Sequence, residues 1–181
     1  GITIYGGVKK LSSGNSIIGN SAKNNRYNQI EVWQSNNNTV SGNTVEESIA
    51  GRGNLGAICL FATTGTTVTY NTVLSAQNNG IDIAAGSFYS TISDNNISNT
   101  NLDNNTTAPE KGNAILLDSD GISQPQYTTI RNNKISSSRV IVPKSGIYST
   151  SNSNKHNKID SNAITGYKFG FHSYAKMTCG M

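Results

Sequence analysis

Apolar residues recur between asparagine and glycine along this chain, in repeats of about 22 residues. Six segments contain an apolar residue, an asparagine three positions later, and a small or apolar residue two positions beyond it. These segments begin at Ser16, Thr39, Thr67, Thr91, Thr129 and Lys158. The asparagines share one register, at Asn20, Asn43, Asn71, Asn95, Asn133 and Asn162. The spacing predicts short strands that turn at each asparagine.

A second strand-like element occurs once before the first of these segments and once after each of them. Its seven copies are GITI at 1, QIEV at 29, AICL at 57, GIDI at 80, AILL at 114, GIYS at 146 and GFHS at 170. No helical period accompanies the strands, so each repeat is expected to form one coil of a solenoid that pairs in parallel with its neighbours. The sequence therefore predicts an all-β fold, a single-stranded parallel β-helix of about seven coils.

The asparagine column has its own physical reason. A side-chain amide at a bend satisfies backbone groups of the turn, tolerates left-handed φ, and bonds the amides of the coils above and below. Six asparagines in register therefore predict an internal asparagine ladder. A leucine-rich repeat would need leucine columns and helical segments, which this sequence lacks.

Composition changes this picture little. Only 34% of the residues are hydrophobic and 13% are charged, a mixture that favours disorder, but the regular placement of the apolar residues argues against it. The length fits one β-helix domain over residues 1–181, and the strand-like opening GITIY suggests a fragment of a longer chain. The two cysteines, Cys59 and Cys179, have no metal-ligand spacing, and no apolar run is long enough to span a bilayer.

Charge is distributed unevenly. From Arg131 onward there are eight Lys or Arg residues and one acidic residue, Asp160. A basic end favours an anionic ligand or surface, but there are no arginine runs and no nucleic-acid motif. We therefore expect no nucleic-acid partner, and a solvated face is the simpler interpretation.

The repeated segments resemble the right-handed parallel β-helix of the pectate-lyase-like superfamily, which includes polysaccharide lyases and hydrolases, C5-epimerases and phage tailspikes. The resemblance covers nearly the whole chain, and it is specific for the fold because the repeated residues are structural. It implies that the outer faces of the coils bind or cleave polysaccharide, and that the chain forms a homotrimer if it is of the tailspike type. The GHG and RIK signatures of polygalacturonase-like hydrolases are absent from the sequence.

Strand alternation leaves two outward columns in the second elements. The first contains Thr3, Glu31, Cys59, Asp82, Leu116, Tyr148 and His172, and the second contains Tyr5, Trp33, Phe61, Ala84, Asp118, Thr150 and Tyr174. Tyr5, Trp33 and Phe61 form an aromatic stripe suited to stacking on sugar rings. Aromatic stacking along the coils also stabilises such a fold by itself, and a loop or another subunit could cover the stripe.

Glu31, Asp82 and Asp118 are the candidate catalytic residues. Two coils separate Glu31 from Asp82, which places their backbones roughly 9 to 10 Å apart, near the upper limit for an inverting carboxylate pair. Asp82 and Asp118 are on adjacent coils, where close carboxylates raise each other's pKa. No resident metal is expected, although Asp82, Asp118 and Asp120 could bind Ca²⁺ if the protein is a lyase.

Three more residues are candidates for binding the polymer: Arg52, Tyr148 and His172. Loops on a rigid solenoid often determine which ligand binds. The insertions at 46–56, 99–113 and 119–128 are therefore candidates for contacting the polymer. Such insertions are also tolerated without any function, because the coils do not depend on them.

Two functional hypotheses follow. The first is an extracellular or virion-surface depolymerase, either a hydrolase or a lyase. Its substrate would be a polysaccharide, and acidic polysaccharides are among the candidates. The second is a non-catalytic structural or adhesive module that binds glycan or supports a trimeric fibre. Ile and Val residues near 140–142 would meet water in a monomer, which favours a homotrimer.

Overall fold

The computed structural model of the chain describes residues 1–7, 12–47, 56–105, 107–120, 122–151 and 155–174. These residues form strands joined by turns and loops. The strands are β1 (Ile2–Tyr5), β2 (Ser12–Ser13), β3 (Ser16–Ile18), β4 (Ser21–Lys23), β5 (Ile30–Trp33), β6 (Ser35–Asn36), β7 (Thr39–Ser41), β8 (Thr44–Glu46), β9 (Gly56–Phe61), β10 (Thr67–Thr69), β11 (Thr72–Ser75), β12 (Asn79–Ala84), β13 (Thr91–Ser93), β14 (Asn96–Ser98), β15 (Ile115–Asp118), β16 (Thr129–Arg131), β17 (Lys134–Ser136), β18 (Ser145–Ser149), β19 (Lys158–Asp160), β20 (Ala163–Thr165) and β21 (Phe169–Ser173).

Three long parallel sheets run along the stack. Sheet 1 has seven strands in the order β1, β5, β9, β12, β15, β18 and β21. Sheet 2 is β19, β16, β13, β10, β7 and β3, and sheet 3 is β20, β17, β14, β11, β8 and β4. A strand of each coil thus pairs with the equivalent strands of the coils above and below, as the seven predicted elements and their common register require. The predicted parallel solenoid is confirmed.

The core is one column of aliphatic side chains inside the coils. In sheet 1 the inward residues include Ile30, Val32, Ile58, Leu60, Ile81, Ile83, Ile115, Leu117 and Ile147, all of them buried. Each is stacked on its equivalent in the next coil, for example Ile58 on Ile81. Because each buried aliphatic side chain contributes roughly 1.5–3 kcal/mol, this column supplies most of the stability of the stack.

The asparagine ladder forms as predicted. Each Nδ2 donates to the Oδ1 of the asparagine one coil further along the chain, at 2.8–3.0 Å over the five steps from Asn20 to Asn162. The same Oδ1 atoms accept backbone N–H groups of the preceding rung. One detail differs from the expectation, because the left-handed conformation belongs to the residue before each asparagine. Those residues are Gly19, Gly42, Tyr70, Asp94, Asn132 and Ser161.

A second series of left-handed residues, which we call the turn column, lies at the corner between sheets 1 and 2. It contains Gly14, Asn37, Gly65, Tyr89, Tyr127 and His156, all with φ between 53° and 68°. The rings of Tyr89, Tyr127 and His156 are stacked with centroids 4.8 Å apart at both steps. A left-handed conformation costs a residue with a side chain about 1–2 kcal/mol, and each stacked pair returns about 0.5–1.5 kcal/mol. Stacking therefore offsets part of this cost, in addition to the contribution of the apolar area that the rings bury.

Within the described residues, no helix of the length and apolarity needed to cross a bilayer is found.

Candidate functional site

The second outward column of sheet 1, which we call the cleft column, combines rings and a carboxylate. Register places Tyr5, Trp33, Phe61, Ala84 and Asp118 next to one another on successive coils. The Trp33 and Phe61 rings are stacked with centroids 3.8 Å apart and planes 12° apart. Tyr5 is stacked more loosely on Trp33, at 6.4 Å, and its side chain is exposed. The predicted aromatic stripe is therefore present as a stack of three rings.

The stack of rings ends at Ala84. This residue occupies the next rung, carries only a methyl group and is buried, and among the described residues no ring other than Trp33 is stacked on Phe61. On the following coil the column continues with Asp118. Two coil steps separate the backbones of Phe61 and Asp118, about 10 Å in all. The column thus leaves a gap with an aromatic wall on one side and a carboxyl group on the other.

A cleft of about 570 Å³ opens over this gap. Besides Trp33, Phe61, Ala84 and Asp118, it is lined by Glu31, Asp120, Cys59 and Ala85, and by Tyr27 and Asn28 from the turn before β5. Asn28 Nδ2 donates to Glu31 Oε1 at 3.0 Å, which orients that carboxylate. Two of the three predicted catalytic residues, Glu31 and Asp118, therefore line one cleft together with two of the predicted aromatic residues.

Asp118 is a half-buried acid. Burial raises the pKa of its carboxyl group, and the negative charges of Glu110 and Asp120 act in the same direction. A hydrogen bond from the Thr150 hydroxyl, 3.3 Å from Asp118 Oδ1, acts in the opposite direction but does not reverse the shift. A carboxyl group with a raised pKa retains its proton to higher pH, as a general acid must.

Asp120 has the opposite environment two residues further on. Its Oδ1 accepts the backbone N–H groups of Ile122 at 2.8 Å and Ser123 at 2.6 Å. These bonds, the Ser123 bond first, lower the pKa of Asp120, and its side chain is exposed to solvent. Asp118 and Asp120 therefore form a neighbouring pair whose environments move their pKa values apart, which is the pattern that assigns acid and base roles in a carboxylate site.

The prediction that Asp82 is exposed on the outer face is wrong. Asp82 does lie in the first outward column, between Cys59 and Leu116, but its exposed fraction is 0%. Neither of its carboxyl oxygens has a hydrogen-bond partner among the described residues. Burial raises the pKa of Asp82 well above its usual range, and the Asp118 charge adds to this effect. Alternation placed the side chain on the correct face but could not show that this part of the face is covered, so Asp82 cannot contact a polymer.

Tyr148 is a second correction, because its side chain is also buried. His172, its neighbour in the column, is exposed and lines a different cleft of about 280 Å³ together with Lys144, Ser145, Lys168 and other residues. The Lys144 ammonium donates to the carbonyl oxygen of Ala108, and burial lowers its pKa. This second cleft is cationic, and besides His172 it includes Val142 and part of the insertion at 99–113, which the sequence also indicated.

The structure adds less about the remaining candidates, Arg52, Cys59 and the possible calcium ligands. Arg52, and most of the insertion at 46–56, lie outside the described residues. Cys59 is buried, and burial followed by the charge of Asp82 raises the pKa of its thiol, so it remains protonated at neutral pH. In the described ranges, no group of three His, Cys, Asp or Glu side chains is arranged to hold a metal ion.

The sequence did not indicate that Asp118 and Asp120 form a pair of carboxyl groups whose pKa values are shifted in opposite directions. The available signal was the spacing Asp118-x-Asp120 followed by residues that close a turn on the second carboxylate. That signal is weak, because an Asp two residues after another Asp is common in loops, and only folded coordinates show which carboxyl group is buried.

The stacked parallel sheets and the outward cleft define this protein as a β-solenoid with a carboxylate-lined outer face. Residues 1–164 match the family described as right-handed beta helix region, and the chain belongs to that family. No curated protein and no solved structure matches the chain. Membership confirms the predicted fold and supports a glycan-associated class without specifying an activity.

Proposed function

We propose that the chain binds a polysaccharide across the outer face of sheet 1 and hydrolyses it in the cleft beside Asp118. The single observation that carries this proposal is the cleft over Ala84, which Phe61 lines on one side and Asp118, an acid with a raised pKa, lines on the other. Such a role would place the protein outside a cell or on the surface of a virion.

A sugar ring fits the gap over Ala84. The rings of the cleft column are stacked at roughly the spacing of successive coils, and a pyranose ring packing on Phe61 would occupy the rung that Ala84 leaves vacant. Its glycosidic oxygen would then lie toward Asp118, on the next coil. Trp33 and Tyr5 extend the apolar surface beyond Phe61, while Glu31, oriented by Asn28, accepts hydrogen bonds from sugar hydroxyls.

The carboxylate pair supplies the chemistry. Asp118 donates its proton to the glycosidic oxygen as the bond from that oxygen to the anomeric carbon breaks. Asp120 remains ionised and takes a proton from water as the water oxygen bonds to the anomeric carbon. One proton leaves Asp118 and one is gained by Asp120, and exchange with solvent restores both groups.

An acidic polymer is the preferred substrate class. The second cleft contains Lys144, Lys168 and His172 at the far end of the same sheet, where anionic groups on a bound chain would meet ammonium groups. Attraction of this kind weakens with salt, so binding of an acidic polymer should decrease between low and high ionic strength.

The decisive experiment compares Asp118→Asn with Asp160→Asn. Chain shortening is followed by size-exclusion chromatography on a panel of acidic and neutral bacterial polysaccharides. Loss of the general acid should slow cleavage by about 10²- to 10⁴-fold. Asp160 is an exposed acid on sheet 2 that bonds Ser161 and Lys158, so its substitution should leave the rate unchanged. Equal rates in wild type and Asp118→Asn would refute the assignment, and no cleavage of any polymer by wild type would refute hydrolysis.

The pH profile provides an independent measurement. Activity should fall with rising pH as Asp118 loses its proton and with falling pH as Asp120 gains one. Thr150→Val removes the hydroxyl that lowers the Asp118 pKa, so the alkaline limb should move to higher pH. An unchanged alkaline limb in that variant would argue against Asp118 as the acid.

A second candidate function is a non-catalytic trimeric module, favoured by one observation. Val140 is 99% exposed, and its neighbours Ile141 and Val142 are also exposed, an arrangement typical of a surface that meets another chain. Sedimentation at high protein concentration tests this candidate. A trimer that loses its association in Val140→Ser would support it, whereas a stable wild-type monomer would contradict it.

A further inference from the structure

The geometry points to a second sugar-binding site on the turn column, formed by the open ring face of Tyr89 above Gly65 and the side-chain amide of Asn37. This site lies on a different corner of the coil from the cleft, and it does not depend on the proposed hydrolysis. Its ligand is the flat apolar face of a neutral pyranose ring.

The stack of rings in the turn column ends on one side at Gly65. Parallel pairing and backbone hydrogen bonds place Asn37, Gly65, Tyr89 and Tyr127 on successive coils. Among the described residues, Tyr89 is stacked only on Tyr127, whereas Tyr127 lies between Tyr89 and His156. Exposure agrees, since 59% of Tyr89 is exposed and 43% of Tyr127. The next rung carries no side chain of its own, and the Asn37 amide fills only part of the space there, so part of the second face of the Tyr89 ring is open to solvent.

Asn37 supplies polar groups next to this open face. A Cβ atom at Gly65 would lie 2.5 Å from Asn37 Oδ1, so the amide of Asn37 extends into the space that a side chain at position 65 would occupy. Asn37 is exposed, and no hydrogen bond of its side-chain amide is recorded among the described residues. An open aromatic face with a free donor and acceptor beside it matches a sugar ring, which has an apolar face and hydroxyl groups around its edge.

The corner itself does not require rings. At the same corner the earlier coils use Gly14, Asn37 and Gly65, residue types that adopt a left-handed φ at little cost. The later coils place bulky aromatic side chains in that conformation and leave them exposed. A left-handed φ does not by itself mark a site, since Tyr70 adopts it too. What distinguishes Tyr89 is that its exposed ring ends a stack of rings. The ligand should be uncharged at the contact, because Asn37, Gly65, Tyr89 and Tyr127 carry no charge.

The test uses Tyr89→Asn with Tyr70→Asn as its matched control. Tyr70 also has a left-handed φ and is 67% exposed, but no ring is stacked on it among the described residues. Asparagine tolerates this conformation, so both variants should fold. Binding of cellohexaose and xylohexaose is measured by calorimetry, with thermal melting as the control for folding. We expect Tyr89→Asn to weaken binding by about tenfold and Tyr70→Asn to leave it unchanged.

Gly65→Asn tests the site from the opposite direction. Its side chain would fill the space against Tyr89 and displace the amide of Asn37, and asparagine again suits the left-handed φ of 67°. We expect a similar loss of binding although every ring remains in place.

The single tryptophan, Trp33, separates this site from the cleft. Its fluorescence reports occupancy of the cleft. Sugar bound at the turn column should therefore give a calorimetric signal that Tyr89→Asn loses, and any change in Trp33 fluorescence should be the same in Tyr89→Asn as in the wild type. The proposal is overturned if neither hexasaccharide binds the wild type or if Tyr89→Asn binds with wild-type affinity. It is also overturned if Tyr70→Asn loses as much affinity as Tyr89→Asn, or if the binding lost in Tyr89→Asn is the binding that changes Trp33 fluorescence. Failure of Asp118→Asn to slow cleavage would leave this site unaffected.

Discussion

The asparagine ladder and the cleft column run along the same stack of coils in the same register, but they use it differently. Every rung of the ladder is an asparagine from Asn20 to Asn162, and each amide bonds the next. The cleft column changes at each coil, from rings to a methyl group at Ala84 and a carboxyl group at Asp118. Inside the coils an interrupted column leaves buried polar groups without partners, whereas outside them an interruption opens a cleft.

This difference explains where chemistry is possible on a solenoid. Buried columns are constrained because each rung satisfies its neighbours, so their residues carry structural information only. Exposed columns bear no such constraint, so a small residue beside a ring can leave room for a ligand there. Ala84 is that residue in the cleft column and Gly65 in the turn column.

The largest effect should come from breaking a central rung. In Asn95→Ala, the backbone N–H and amide of Asn71, the Oδ1 of Asn133 and the Val68 carbonyl oxygen lose a partner. The Asn71 amide keeps the Val40 and Thr69 carbonyls, and Asn133 Oδ1 keeps the backbone N–H of residue 95, so the main cost is the unsatisfied Asn71 N–H. An unsatisfied buried group costs about 1–3 kcal/mol, and with the other lost bonds we expect a loss of about 2–3 kcal/mol in the free energy of unfolding, measured in urea. Asn20→Ala, at the partly exposed first rung, should cost about 1 kcal/mol, and equal losses in the two variants would contradict the ladder argument.

Filling the interruption in the cleft column should have the next largest effect. Ala84→Phe would continue the stack from Phe61 and occupy the gap opposite Asp118. We expect polysaccharide affinity to decrease by about 10- to 100-fold, equivalent to about 1.4–2.7 kcal/mol, while the protein remains folded. Affinity is measured by calorimetry with the polymer that wild type cleaves. Unchanged affinity would mean that the sugar does not occupy this rung.

Asp82 lies beside the cleft column and tests the covered part of the same sheet. Folding raises the pKa of Asp82, so between the usual aspartate pKa and the raised value the folded state binds more protons than the unfolded state. The free energy of unfolding therefore decreases as pH rises through this interval. Asp82→Asn removes the ionisation, so we expect a gain of about 1–2 kcal/mol at pH 8 and little change near pH 4, measured by urea unfolding. A loss of stability at pH 8 would show that the buried carboxyl group has a partner.

The smallest effect is expected for an exposed rung. Lys23 and Glu46 pair at 3.0 Å on adjacent coils of sheet 3, and both side chains contact solvent. Lys23→Ala should change the free energy of unfolding by less than about 1 kcal/mol, and less still in high salt. A loss comparable to that in Asn95→Ala would contradict the distinction between buried and exposed columns.

The fold was predictable because its determinants are local and repeated. The seven sheet 1 strands coincide with the seven predicted elements, since an apolar residue at alternate positions and an asparagine at each bend specify both the register and the turn. Strand alternation also assigned Trp33, Phe61 and Asp118 to the correct face. These predictions needed only the distances between residues within one coil and the next.

Burial of the outer face was not predictable. Asp82 and Tyr148 occupy outward positions like Glu31 and His172, yet they are buried, and strand alternation has no information about what lies over an outward side chain. A loop of irregular sequence has no period from which its position can be calculated. The same reason hid the lowered pKa of Asp120, which depends on backbone N–H groups of a loop.

The amides of the ladder all point the same way, since each Nδ2 donates toward the next coil along the chain and each Oδ1 faces the previous one. Aligned hydrogen-bonded dipoles polarise one another, so each bond strengthens its neighbours. The coils are then not independent units, because the strength of a rung grows with the number of rungs on either side of it. We therefore expect a stack shortened by one coil to lose more free energy of unfolding than one coil contributes alone, and hydrogen exchange of the amide protons should slow from either end of the ladder toward its middle.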